Sequence, residues 1–301
     1  MADQKSLSAQ AWIELLLLAV IWGGIFLASR VALNEVPVFT LVAHRVFWAA
    51  LILWGVVLMR RLPIPRSGSV WVAFLVMGLL NNIIPFSLLN WAQLHIETGL
   101  TSIFNATTAI FGVLVAALLL PDERLTLRKT VGVTLGFLGV ATAIGLHNLT
   151  NFNPHSIAQL AAVAATLSYA LAGVWARKRL AGQPPQIAAA GMLTGASLFA
   201  VPLAIAFDGP ITFALEPITW VAIAYCASIA TAGAYLLYYR VLDMAGSGNL
   251  MLVTLLIPPF AIVLGALTLG ETLAPRAYAG FALLALGLLV LDGRVFARMK
   301  R

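Results

Sequence analysis

The chain has 301 residues, 61% hydrophobic and only 10% charged, against about 45–50% and about 25% in an ordinary soluble domain. So few charges all but exclude a water-soluble fold of this size, and lipid is the solvent that fits. A net charge of +7 does not point to nucleic acid, because the basic residues fall in short clusters between apolar runs, as in a membrane topology signal.

About 20 apolar residues cross a hydrocarbon core roughly 30 Å thick. Charged or Pro/Gly-rich breaks divide the chain into ten such spans, at 11–33, 37–59, 69–91, 97–120, 127–146, 155–176, 185–207, 217–239, 245–269 and 275–292. The runs are continuously apolar rather than alternating, which predicts an all-α bundle and not a barrel. The first span is too long for a signal-peptide core and lacks a cleavage site of small residues, so it reads as the first helix. The loops leave no room for a soluble domain.

In chain order, the first span carries Trp22-Gly23 and then Arg30. The second holds His44-Arg45, an ionisable pair well inside hydrocarbon, where an arginine costs about 2.5–3.5 kcal/mol even on insertion scales. Three readings stand side by side: an anion contact, a proton relay through His44, and a structural anchor bonded to backbone carbonyls. The third span is heavily polar, with Asn81, Asn82, Pro85, Ser87, Asn90 and Gln93. Amides in a membrane are costly unless paired, so Asn82 and Ser87 either line a water-filled substrate cavity or bond between helices. The fourth span adds Ser102, Asn105 and Thr108, with Asn105 the preferred site residue. Glycines 132, 136 and 139 in the fifth span, 191 and 195 in the seventh, and 280 and 287 in the tenth mark faces for close packing.

Aromatic side chains supply the apolar half of a site, since a ring packs on cargo and a phenol adds a hydrogen bond. Trp22 and Tyr169 lie mid-span, and Tyr235, Tyr238 and Tyr239 gather in the eighth span. Tyr239, Trp12, Trp71 and Trp220 lie near span ends and read as interfacial anchors. Gly23, Pro85, Pro258 and Pro259 read as hinge or packing positions. The lone Cys226 has no metal-ligand companion; neither a metal nor a cofactor is expected.

Fifteen of the 18 Lys and Arg residues fall on the side of the chain's start, in clusters such as Arg60/Arg61/Arg66 and Arg177/Lys178/Arg179, while Arg30 and Arg276 fall opposite. The positive-inside rule puts both termini in the cytoplasm. The halves also repeat. A shift of 148 pairs Glu123 with Glu271, Arg128 with Arg276, Gly132 with Gly280, Gly139 with Gly287 and Asn90 with Tyr238. A shift of 147 pairs Trp22, Gly23 and Arg30 with Tyr169, Ala170 and Arg177. Two units, 1–146 and 147–301, each cross the bilayer five times, so the second enters from the opposite face. Inverted repeats of this kind open a midplane site to either side in turn.

Trp22-Gly23 with Arg30, Arg45, the Pro-Asp-Glu-Arg-Leu segment at 121–125 and its echo in Pro258-Pro259 and Leu269-Gly270-Glu271-Thr272-Leu273 resemble the EamA family of the drug/metabolite transporter superfamily over nearly the whole chain. Asn105-Ala106-Thr107-Thr108 is most similar to the YddG-type exporters of aromatic amino acids within it. The halves are not equivalent where Ile110-Phe111 stands opposite Pro258-Pro259. The resemblance implies amino-acid export across a bacterial inner membrane, with broad drug or metabolite efflux as the alternative; a monomer suffices, and the sequence gives no oligomeric state. Phosphorylated or nucleotide-sugar cargo would need several basic residues in the cavity, and only Arg45 is at hand. No acidic residue lies mid-span, which favours uniport over proton antiport. An enzyme lacks support, with no HExxH, no GxSxG and no paired intramembrane carboxylates. A scaffold or a channel is the remaining rival.

Overall fold

The computed structural model describes residues 7–96, 98–150, 153, 156–269 and 274–292. Among them there is no strand, as lipid demands: a backbone in hydrocarbon must satisfy its own N–H and C=O groups, and a helix does so within one segment. The helical rods are α1 (Ala9–Leu33), α2 (Val38–Met59), α3 (Gly68–Gln93), α4 (Leu100–Leu119), α5 (Leu127–Ile144), α6 (Ile157–Arg179), α7 (Pro185–Asp208), α8 (Pro217–Ala245), α9 (Ser247–Leu264) and α10 (Pro275–Asp292). The first nine are long and apolar enough to cross a membrane; α10, apolar over Pro275–Leu291, falls just short. Leu17, Leu27, Leu58, Leu118 and Val221 are among the large apolar side chains left on the outside, as expected of a surface facing acyl chains.

Sequence cues explain several ends. Ser8 and Thr126 cap α1 and α5, their hydroxyls accepting from Ala11 N and Lys129 N at 3.1 and 3.2 Å. Pro185 and Pro217 open α7 and α8, where a missing N–H goes unnoticed. Two ends differ from expectation for one reason. The sequence limits stop α6 at 176 and α8 at 239, before a basic residue, yet the helices run on to Arg179 and Ala245. Their charges are neutralised in place: Arg177 is held by Asp122 and Glu123, and Arg240 Nη2 lies 2.6 Å from Glu14 Oε1. Gly246, at φ +84°, ends α8 instead. Tyr239 is thereby corrected: it is no interfacial anchor but a buried residue whose hydroxyl donates to Met192 Sδ at 3.4 Å.

Repeat-related rods run antiparallel. In α2 and α7, Thr40 N donates to Asp208 Oδ2 at 2.7 Å while Trp54 Nε1 donates to Thr194 Oγ1 at 2.7 Å, so one chain climbs as the other descends. α5 and α10 cross glycine to glycine. A Cβ on Gly132 would meet Gly287 O at 2.9 Å, and one on Gly139 would meet Gly280 O at 2.8 Å. The 148-residue shift exchanges these two contacts, and it carries the neighbours of α6, namely α3 and α4, onto those of α1, namely α8 and α9. The halves are related by a pseudo-twofold axis in the membrane plane. Small residues set the other close crossing, where α7 lies so near α3 that a Cβ on Gly78 would come within 2.5 Å of Ala196 N.

α3 and α8 share a further device. Each contains a π-helical stretch at a repeat-related place, Leu79–Ile83 and Tyr225–Gly233, the local widening often found beside functional sites. Carbonyls there are free to accept from the opposite half: Ser168 Oγ donates to Leu80 O at 2.7 Å, and Trp22 Nε1 to Ala230 O at 2.9 Å. Glu271 with residues 270–273, and the basic residues Lys5, Arg294, Arg298, Lys300 and Arg301, lie outside the described residues.

Candidate functional site

The two halves line a cavity between them of about 80 Å³, open at one side. α1 lines it with Trp22, Ile25, Phe26 and Ser29; α2 with Arg45; α3 with Asn81, Phe86, Leu89, Asn90 and Gln93; and α4 with Asn105 and Thr108. The second half supplies Tyr169, Tyr235, Tyr238, Met251, Val253, Thr254 and Ile257. Met251 forms one end: it fills the gap between α4 and α6, and a Cβ on Gly112 or Gly173 would come within 2.5 or 2.9 Å of its side chain. Away from Met251 the lining follows Ile25 to Ser29 and Phe86 to Gln93 toward exposed Arg30, which donates to Gln93 O at 3.2 Å.

Aromatic residues hold one another in place. Trp22 meets Tyr235 edge-on at 6.4 Å and Tyr238 at 6.5 Å, and Tyr235 and Tyr238 are perpendicular at 5.7 Å. The Tyr235 hydroxyl accepts from both amides of the α3 π turn, Asn82 Nδ2 at 2.7 Å and Asn81 Nδ2 at 3.1 Å. Arg45 is buried as well. Its Nε donates to Thr231 Oγ1 at 2.7 Å and its Cζ lies 3.6 Å above the Phe86 ring. Gln93 Oε1, Thr108 Oγ1 and Tyr238 Oη are buried without a hydrogen-bond partner, an arrangement that costs about 1–3 kcal/mol per group unless a ligand or water completes it.

One turn from Met251, whose N–H donates to Ser247 O, stands a cluster of charged groups. Glu123 Oε1 accepts from Arg177 Nη1 at 2.5 Å and from Ser247 N and Oγ at 2.9 and 3.0 Å, and Glu123 Oε2 lies 3.6 Å from Lys129 Nζ. One buried carboxylate thus joins the α4–α5 loop, α6 and the first turn of α9, where the helix dipole also favours a negative charge.

Of the residues expected in the site, Trp22, Asn105, Thr108, Tyr169, Tyr235 and Tyr238 line the cavity, as does Arg45. Asn82 lies one layer behind, fully buried and bonded to the phenol that does line it. Ser87 does not line the cavity; its hydroxyl is buried without a partner, between Phe86 and Leu89, which do. Ser102, a turn before Asn105, is half-buried outside the lining. His44 points the other way, its ring 5.6 Å from both Phe213 and Trp220 and its Nδ1 accepting from Trp48 Nε1 at 3.2 Å. Gly23 admits the backbone of α9 at Phe260 and Ala261, Pro85 begins the α-helical turns after the α3 π stretch, and Pro258 and Pro259 sit inside α9 without ending it.

Sequence reasoning left other lining residues unassigned. Ile25, Phe26 and Ser29 follow Trp22 at helical spacing, and Asn90 and Gln93 follow Phe86 in the same way, a face that periodicity reveals once one member is chosen. Val253 had a sharper signal, since the 148-residue shift pairs it with Asn105. Met251 carried none.

The family model of the EamA-like transporter family matches twice, over residues 10–145 and 156–291, one match per half. The chain belongs to the EamA-like transporter family. An uncharacterized transporter of Archaeoglobus fulgidus is 25% identical to this EamA-like transporter over 88% of the chain and 91% of the relative. A probable terminal-alkyne amino-acid exporter of Streptantibioticus cattleyicolor is 27% identical over 98% of the chain and 97% of the relative. A solved crystal structure superposes with a TM-score of 0.80 at 20% identity, over 97% of the chain and 99% of that structure, and so shares the fold. The chain is a multi-pass membrane transporter of a small-molecule substrate and not an enzyme.

Proposed function

We propose that this EamA-like transporter exports amino acids, aromatic and other neutral ones among them, across a bacterial inner membrane by alternating access of two inverted units, 1–146 and 147–301. The observation that carries this reading is the cavity between the halves, whose wall combines the rings of Trp22, Tyr169, Tyr235 and Tyr238 with the amides of Asn90, Gln93 and Asn105 and the guanidinium of Arg45. Rings accept an apolar or aromatic side chain, and hydrogen-bonding groups accept the polar end. The amino-acid exporter among the relatives supports the same cargo class. No carboxylate lines the cavity among the described residues, which favours facilitated export over exchange for protons.

The test is flux. The protein reconstituted in liposomes should carry labelled tryptophan, phenylalanine or threonine and should leave a phosphorylated sugar behind. Asn105→Ala and Tyr169→Ala should each lower that flux about tenfold while eluting as the wild type does. Transport of none of the amino acids ends the proposal, and unchanged flux in both variants removes these residues from the site.

A further inference from the structure

Arg45 is the single charged residue lining the cavity, and its surroundings are those of a group awaiting a counter-ion. It is only 7% exposed. Of five guanidinium N–H donors, the one on Nε is spent on Thr231 Oγ1 at 2.7 Å. The Phe86 ring, 3.6 Å from Cζ, supports the flat face and leaves the four Nη–H donors without a protein acceptor among the described residues. The carboxylates that do form ion pairs are elsewhere: Glu14 with Arg240, Glu123 with Lys129 and Arg177, Asp122 with Arg177. A guanidinium so fixed by its Nε and one face presents its planar fork to the cavity, the geometry that matches a carboxylate through two parallel hydrogen bonds.

Nothing comparable waits for a cation. The remaining polar wall is neutral, and its unpaired buried atoms are Gln93 Oε1, Thr108 Oγ1 and Tyr238 Oη. They offer an ammonium group hydrogen bonds but no opposite charge. The cavity therefore carries one positive charge when empty. It becomes neutral with a monocarboxylate, keeps one unit with a zwitterion and rises to two with an amine.

We propose that Arg45 is the specificity-determining residue of the cavity and that its cargo is recognised as an apolar or aromatic monocarboxylate, with the amino group tolerated rather than required. This rests on reading the cavity as the cargo site, and it deepens the amino-acid assignment: the deaminated acid is as good a ligand as the amino acid or better, and the decarboxylated amine is excluded.

The experiment uses three molecules of nearly one shape, hydrocinnamate, phenylalanine and phenethylamine, in equilibrium dialysis against the detergent-purified full chain near neutral pH. Hydrocinnamate should bind at least about tenfold more tightly than phenethylamine, the effect of one charge-assisted hydrogen-bond pair, with phenylalanine between them. Arg45→Gln should shrink that gap to about twofold or less, and Arg45→Lys, a charge without the fork, should keep part of it. A ratio between ligands in one preparation does not depend on how much of the variant is folded, and the wild-type order alone decides the matter should neither variant fold. Equal binding of acid and amine, a gap that survives Arg45→Gln, or no binding of any of the three overturns the proposal. Hydrocinnamate bound while phenylalanine is neither bound nor carried would leave the carboxylate site standing and remove the amino-acid cargo. Phenylalanine carried by a protein that treats acid and amine alike would do the reverse.

Discussion

The two halves of this transporter share a fold but bring different chemistry to the space between them. All the amides and the one charge come from the first half, as Arg45, Asn81, Asn90, Gln93 and Asn105; the second half brings three tyrosines, the hydroxyl of Thr254, Met251 and two aliphatic side chains. At repeat-related positions Asn90 stands opposite Tyr238, Asn105 opposite Val253, Gln93 opposite Val241 and Arg45 opposite Met192. A duplicated scaffold needs the same residues twice only where both copies do the same work. Packing is such work: Gly132, Gly139, Gly280 and Gly287 are retained because each meets the backbone of its partner. Binding one cargo with a polar end and an apolar end is not, and there the copies have parted.

Substitutions at repeat-related places break or sharpen this contrast. At the packing positions the halves should respond alike and most severely. Gly139→Leu and Gly287→Leu each force a side chain onto backbone that lies 2.5–2.8 Å from the new Cβ, beyond what rotamers can relieve, and both should abolish monodisperse protein on size exclusion. A folded Gly287→Leu beside an unfolded Gly139→Leu would show that the scaffold itself is asymmetric. The charged ends should differ. Glu123→Ala strands Lys129 in a largely buried setting and leaves Arg177 to Asp122 alone, and should lower stability by about 3 kcal/mol, whereas alanine at exposed Arg30, the repeat mate of Arg177, should change it by less than about 0.5 kcal/mol. Thermal unfolding in detergent measures both, and equal losses would mean that Arg30 is held as firmly as its mate. Tyr235→Phe falls between these two. It leaves the Asn81 and Asn82 amides without their shared acceptor and should cost about 1–2 kcal/mol, with amino-acid flux falling as Trp22 loses a fixed neighbour.

Much of the fold was legible because hydropathy and the 148-residue shift describe one object from two sides. The rods fall within a few residues of their predicted spans, save past Arg177 and Arg240, where ion pairs let the helices continue. Less of the cavity could be read. A polar residue in an apolar helix announces that it needs a partner without saying whether protein or ligand provides one, which is why Asn82 lies behind the wall and Asn90 forms part of it. His44 and Arg45 are neighbours in sequence, yet a helix turns about 100° per residue and sends one to an aromatic nest and the other to the cavity. Met251 carries no signal in the sequence; only its side chain packed against Gly112 and Gly173 marks its place at the cavity.

The π turns of α3 and α8 carry a further meaning. Each stores one surplus residue, so the azimuth of everything after it is offset by about a quarter-turn from an uninterrupted α-helix. Delete a residue from Leu79–Ile83 and Phe86, Asn90 and Gln93 would rotate away together; do so in Tyr225–Gly233 and Tyr235 and Tyr238 would follow. The composition of the binding wall is therefore written in the phase of two helices as much as in the identity of their side chains.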